Sequence, residues 1–131
     1  MFVDASALTA ILTEESDARE LLARLQNADR RVTSPLAVWE TVIAVARILG
    51  LSIPAAQQGV EDFLVLADIA VAPVAAETRA IAVDAYARYG KSRHPAALNF
   101  GDCFAYACAR QARLPLLYKG DDFPRTDIEA A

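Results

Sequence analysis

Four short apolar runs, at residues 2–4 (FVD), 31–34 (RVTS), 69–74 (IAVAPV) and 115–118 (PLLY), set the strongest limit on what this chain can fold into. They are too brief to be membrane spans or long helices. Their near-continuous apolarity suits strands covered on both faces.

Between these runs the apolar residues take up helical spacing. Residues 5–13 and 16–28 form a first pair, with Leu21, Leu22 and Leu25 on one stripe and Glu14, Glu15 and Asp17 near the second start, where a helix favours anions. Ser34 followed by Pro35 reads as a cap and a first-turn proline, opening a helix to about Gly50. Further helices are expected from about Pro54 after a Ser52 cap, over about residues 76–89, and over about residues 100–113. The order strand, helices, strand, helices, strand, helix, helix, strand predicts an α/β sandwich with a parallel sheet. At 131 residues with no linker, repeat or low-complexity segment, residues 1–131 are expected to form one domain.

In such a sheet, functional groups gather where strands end and the following helices begin. The acids meet that rule. Asp4 ends the first run, Asp102 opens the last long helix, Asp121 and Asp122 follow the final run, and Glu40 lies within two turns of the helix that follows the second run. Each has a plain alternative: Asp4 as a helix cap, Asp102 as a first-turn acid, Asp121 and Asp122 as turn residues after Gly120. Glu40 resists one. In PLAVWETVIAVARIL it is flanked by apolar residues on nearly every side, and a carboxylate there must find solvent or a cation.

Carboxylates gathered at one edge raise each other's pKa unless a cation neutralises them, and an all-oxygen donor set selects a hard ion such as Mg²⁺ or Mn²⁺. The only histidine is His94, and the two cysteines, Cys103 and Cys108, lie about 140° apart around a helix, so zinc, a disulfide and an imidazole triad are poorly supported. A net charge of −4 gives no global basic field for nucleic acid. Any such contact must be local, and Lys91, Arg93 and His94 in the 88–101 connection, or Lys119 beside the terminal acids, are the basic candidates. Equally, the first three sit in a solvated loop and Lys119 balances its acidic neighbours. Ser6 reads as a ligand for a metal water or phosphate, or as a helix cap. No positively charged leader precedes the first run and no run of about 18 apolar residues occurs, so a soluble, cytoplasmic protein with reduced cysteines is expected.

Four segments, FVDASAL, VWETV, GKSRHPAALNFGDCFAYA and LLYKGDDFPRTDI, together resemble the PIN-domain ribonucleases, and within them the VapC-type toxins of bacterial toxin–antitoxin pairs. The resemblance spans essentially the whole chain, and its middle and last segments are the specific ones. It implies a PIN-like three-layer sandwich with a short central parallel sheet, and it makes Asp4, Glu40 and Asp102 metal-site acids. The fourth acid is implied to be Asp122, before Phe123, with Asp121 the alternative; the family's further acid, two residues before the Asp of the Asp-Phe pair, is replaced here by Gly120. It further implies metal-dependent cleavage of RNA, a cognate VapB-type antitoxin and a homodimer. The apolar stretches 36–51 and 52–66 suit either such partners or core packing alone.

Two rivals follow from the same residues. A phospho-acceptor signalling domain needs an acceptor Asp at the end of a central strand, where IAVAPV offers Pro73 and Val74. A catalytically silent PIN-like binding module has no reason to keep carboxylates that repel one another.

Overall fold

The computed structural model describes residues 1–131. Six helices and four strands follow the predicted order: β1 (Phe2–Val3), α1 (Ala5–Leu12), α2 (Ala18–Gln26), β2 (Val32–Thr33), α3 (Pro35–Leu49), α4 (Ile53–Leu66), β3 (Ala70–Val71), α5 (Thr78–Tyr89), α6 (Phe100–Ala112) and β4 (Leu116–Leu117), with a closing 3₁₀ turn over Phe123–Arg125. Each strand is two residues long, shorter than the apolar runs that mark it. The second helix starts at Ala18 rather than residue 16, because Glu14 takes a left-handed backbone (φ 54°) in the turn before it. Serine caps work as read: Ser34 accepts from the Ala37 amide and Ser52 from the Ala55 amide.

All pairings are parallel, in the order β3-β2-β1-β4, with Phe2 opposite both Val32 and Leu116. From β1 to β2 to β3 the chain moves one way across the sheet, through α1–α2 and α3–α4. It then jumps back past β2 and β1 to place β4 on the far side. Right-handed crossovers put helices laid down in opposite directions on opposite faces. The side chains record this. Val3 and Leu117 enter a core with Leu8, Leu21, Leu25, Val45 and Val60, while their neighbours Phe2, Val32 and Leu116 enter a second core with Ala85, Leu98, Tyr106 and Phe123. Strand alternation thus divides the molecule into three layers, α1–α4, sheet, and α5–α6.

The two sheet edges are unequal. At β4, Leu116 donates to the Glu129 carbonyl at 2.8 Å and accepts from the Ala131 amide at 2.9 Å, so the C-terminal residues cover that edge. At β3 both residues are exposed, contrary to the expectation of cover on both faces; its brevity limits the edge it offers. No helix is long and apolar enough to cross a membrane.

Candidate active site

The strand order changes direction between β1 and β4, and the carboxyl ends of strands at such a point are where an open parallel sheet presents its functional groups. Asp4 follows β1 directly and is buried, 5% exposed. It is indeed the N-cap of α1: Ser6 donates to its Oδ2 from both the backbone amide, at 3.0 Å, and the hydroxyl. Ser6 Oγ in turn accepts from the Lys119 amide at 3.0 Å. Burial pushes the Asp4 pKa up, and the two Ser6 bonds pull against that.

Asp102 sits in the first turn of α6 in a reciprocal capping box. Its amide donates to Asn99 Oδ1 at 3.0 Å, and the Asn99 amide donates to its Oδ2 at 2.8 Å. Burial raises its pKa to about 6, opposed by the Asn99 bond and reinforced by the charges of Asp4 and Asp122. Glu40, in the second turn of α3, lies against Gly101: a Cβ at that glycine would come within 2.4 Å of both carboxylate oxygens. Burial, then the charges of Asp4 and Asp102, push Glu40 up to about 7.

Three helices therefore bring three carboxyls into one electrostatic unit, and no lysine or arginine figures among the groups that act on them. They do not form a closed cage, since no three His, Cys, Asp or Glu side chains converge tightly enough to hold an ion as they stand. Like charges without a cation between them lower their energy by standing apart. The donor chemistry nonetheless fits Mg²⁺ or Mn²⁺, because Mg²⁺ keeps several waters and needs only one or two direct carboxylates. Of the terminal acids, Asp122 is the one whose charge acts on Asp102; both acids are exposed, and Asp122 caps the closing 3₁₀ turn without a side-chain hydrogen bond.

Other candidates are placed elsewhere. Lys119 does not neutralise Asp121 or Asp122: its ammonium pairs with Glu15 and, at 3.3 Å, with Asp17, in the α1–α2 turn. Arg93 packs over Tyr86 and His94 edge-on to Tyr89, both on α5, and His94 Nδ1 accepts from the Ala96 amide. Burial raises both cysteine thiols to about 11, which fits packing residues rather than nucleophiles. Two residues of the site escaped the sequence reading. Asn99 was findable from the Asn-x-x-Asp spacing of a capping box, whereas Gly101 as the seat of Glu40 depends on how α3 and α6 meet, which no local pattern carries.

A profile of the PIN domain matches residues 1–129. The chain belongs to the PIN-domain family. Relatives that it matches over nearly their full length include VapC ribonucleases: it is 42% identical to one from Rhizobium meliloti (97% of this chain, 98% of the relative) and 41% identical to one from Mycolicibacterium smegmatis (99% and 98%). It is also 39% identical to ribonuclease VapC28 of Mycobacterium tuberculosis (100% and 97%). The fold matches the crystal structure of Mycobacterium tuberculosis VapC20, a toxin that cleaves the sarcin-ricin loop, with a TM-score of 0.78 over 99% of this chain and 97% of that one at 17% identity. PIN membership removes the phospho-acceptor alternative.

Proposed function

We propose that this chain, acting as a single PIN domain, is a divalent-metal-dependent endoribonuclease and the toxin of a toxin–antitoxin pair. The observation that carries the reading is the set of Asp4, Glu40 and Asp102, all pushed up in pKa, at the sheet's switch point with no protein cation among them. Asp4 and Asp102 would hold Mg²⁺ or Mn²⁺, with Asp122 completing the set through water. When bound, the ion supplies charge neutralisation and Lewis acidity for phosphodiester hydrolysis.

The remaining work falls to the chain. Glu40 would act as the general base that takes a proton from the attacking water. In the metal-free chain burial and then the charges of Asp4 and Asp102 push its pKa up to about 7, and a bound cation would bring it back down toward the ionised form the base needs. The water oxygen would then form the new bond to phosphorus as the bond to the leaving ribose oxygen breaks, and that oxygen would take up a proton from solvent while Glu40 returns its own to solvent. Gly101 keeps the Glu40 carboxylate close to Asp102, and the Asn99 capping box fixes the Asp102 rotamer.

Exposed apolar side chains support the proposed partners. Trp39, Ile43, Ile48 and Leu49 on α3, and Ile53, Val65 and Leu66 on α4, leave a surface suited to a second copy of the chain and to a VapB-type antitoxin helix. Toxin, antitoxin and RNA would meet in the cytoplasm.

The test is cleavage of total RNA by purified protein with Mn²⁺, with EDTA, and with Asp4→Asn in place of wild type, followed by end mapping. Cleavage that needs both the ion and Asp4 is expected. Wild-type protein that folds, binds no divalent ion and cleaves nothing would leave the silent binding module standing.

A further inference from the structure

Residue 119 touches the first turn of α1 and the turn that leads from α1 to α2. Its backbone amide donates to Ser6 Oγ at 3.0 Å in the former, and its ammonium pairs with Glu15 and with Asp17, the N-cap of α2, in the latter. Asp17 Oδ1 is buried with no hydrogen-bond partner, so the Lys119 ammonium at 3.3 Å is the cation that answers it. Both Ser6 donors fall on Asp4 Oδ2.

We propose that Lys119 is a positioning residue for the acid centre: by bracing α1 against the end of β4, it sets the Ser6 hydroxyl that orients the Asp4 carboxylate. The reasoning is geometric. Asp4 begins α1, and the direction of its carboxylate follows the helix whose first turn it caps. The main chain at Leu117 already holds Asp4, through the bond from the Asp4 amide to the Leu117 carbonyl at 2.9 Å. Leu8, Ala10 and Ile11 seat the body of α1 in the core, and the clamp at Glu15 and Asp17 fixes the turn that follows it against the end of β4. Without the ammonium those two carboxylates, one with a buried oxygen, would draw that turn toward solvent, and α1 would carry the small displacement to Ser6.

Lys119 touches no reacting atom in this role. It acts through Ser6, as groups beyond the direct metal ligands do when they orient a ligand. The inference rests on the metal reading above, and the experiment separates the two. Mn²⁺ affinity is measured on the full chain by electron paramagnetic resonance, with thermal unfolding recorded beside it. Lys119→Met is expected to weaken Mn²⁺ binding on the order of 10-fold, and Lys119→Arg, which can still bridge two carboxylates, to restore most of it. Because Lys119 works through Ser6, the Ser6→Ala, Lys119→Met double variant should bind no more weakly than Ser6→Ala alone. Should Lys119→Met fail to fold, Glu15→Gln with Asp17→Asn opens the same clamp from the other side and should weaken binding likewise. Unchanged Mn²⁺ affinity on opening the clamp, or losses that multiply in the double variant, would overturn the proposal while leaving the metal site intact. A wild type that binds no Mn²⁺ would take both readings down together.

Discussion

Helix α6 serves two carboxylates in opposite ways. Near its middle and end, Tyr106 donates to Asp127 Oδ1 at 2.6 Å and Arg110 reaches Oδ2 at 3.3 Å, with Arg88 of α5 at 3.0 Å. The Tyr106 bond first, then Arg88 and Arg110, pull Asp127 down to about 2. Two turns before Arg110 along the same helix, Asp102 is pushed up to about 6, and Glu40 beside it to about 7. Where the fold wants an acid as an anchor it supplies the cations itself; Asp127 fixes the C-terminal residues over the β4 edge. Where it gathers acids and supplies none, the carboxyls keep their protons to higher pH, and the proposed divalent ion would take the place of those protons.

The largest expected effect tests that contrast directly. Asp4→Asn or Asp102→Asn should lower the cleavage rate by more than about 100-fold, above the 10–100-fold typical of groups that only support metal ligands. The metal-free thermal midpoint should hold or rise, because an amide relieves the mutual repulsion. A clear fall in the midpoint would mean that these acids are structural like Asp127, and the contrast would collapse.

Gly101→Ala sharpens it next. A Cβ there would stand 2.4 Å from both Glu40 carboxylate oxygens, so the side chain must move off its seat. Cleavage should drop on the order of 10-fold, while helix propensity offers ~1 kcal/mol in favour of the alanine. A variant with reduced rate and unreduced midpoint separates the placement of Glu40 from folding. Equal rates in the two proteins would show that the Glu40 seat does not matter.

The legibility of these features differs by their range. The element order, the parallel sheet and the serine caps were readable because period and capping are local. Asp4, Glu40 and Asp102 were readable as candidates because Asp4 ends an apolar run, Glu40 interrupts an otherwise apolar helix near its start, and Asp102 opens the last long helix. The Asp127 anchor was not: Asp127 lies in an unremarkable tail, and its partners Tyr106, Arg88 and Arg110 look like ordinary helix residues until α5, α6 and the tail pack. Lys119 was misplaced for the same reason. Its nearest acids in sequence are Asp121 and Asp122, yet β4 aims its side chain at Glu15 and Asp17 from a turn more than a hundred residues earlier.

Asp127→Ala is the smaller, complementary change. It removes a hydrogen bond and two half-exposed ion pairs, so a stability loss on the order of 1 kcal/mol is expected after solvent screening. Chemical denaturation measures it. Cleavage per folded molecule should stay the same, and a rate that falls with stability preserved would tie the tail to the active site.

The subtlest effect is the dependence of stability on pH and metal. Glu40 moves from an ordinary 4.5 to about 7 on folding, and Asp102 from 3.8 to about 6, so between those values the native state holds more protons than the unfolded chain. Stability from these groups is therefore greatest below the unfolded values and declines as pH rises through about 6 to 7. Asp127 has the reverse sign: its contribution is present above 3.8 and is lost as pH falls toward about 2. A divalent ion binds only the ionised carboxylates and stabilises the state it binds, so its gain should grow with pH. Thermal unfolding with and without Mn²⁺ should show a gain of a few degrees at about pH 8 and little at about pH 5. In Asp102→Asn the gain at about pH 8 should shrink, whereas in Asp127→Ala it should persist. An equal gain at both pH values would mean that the ion binds some group other than the acids whose protons it must displace.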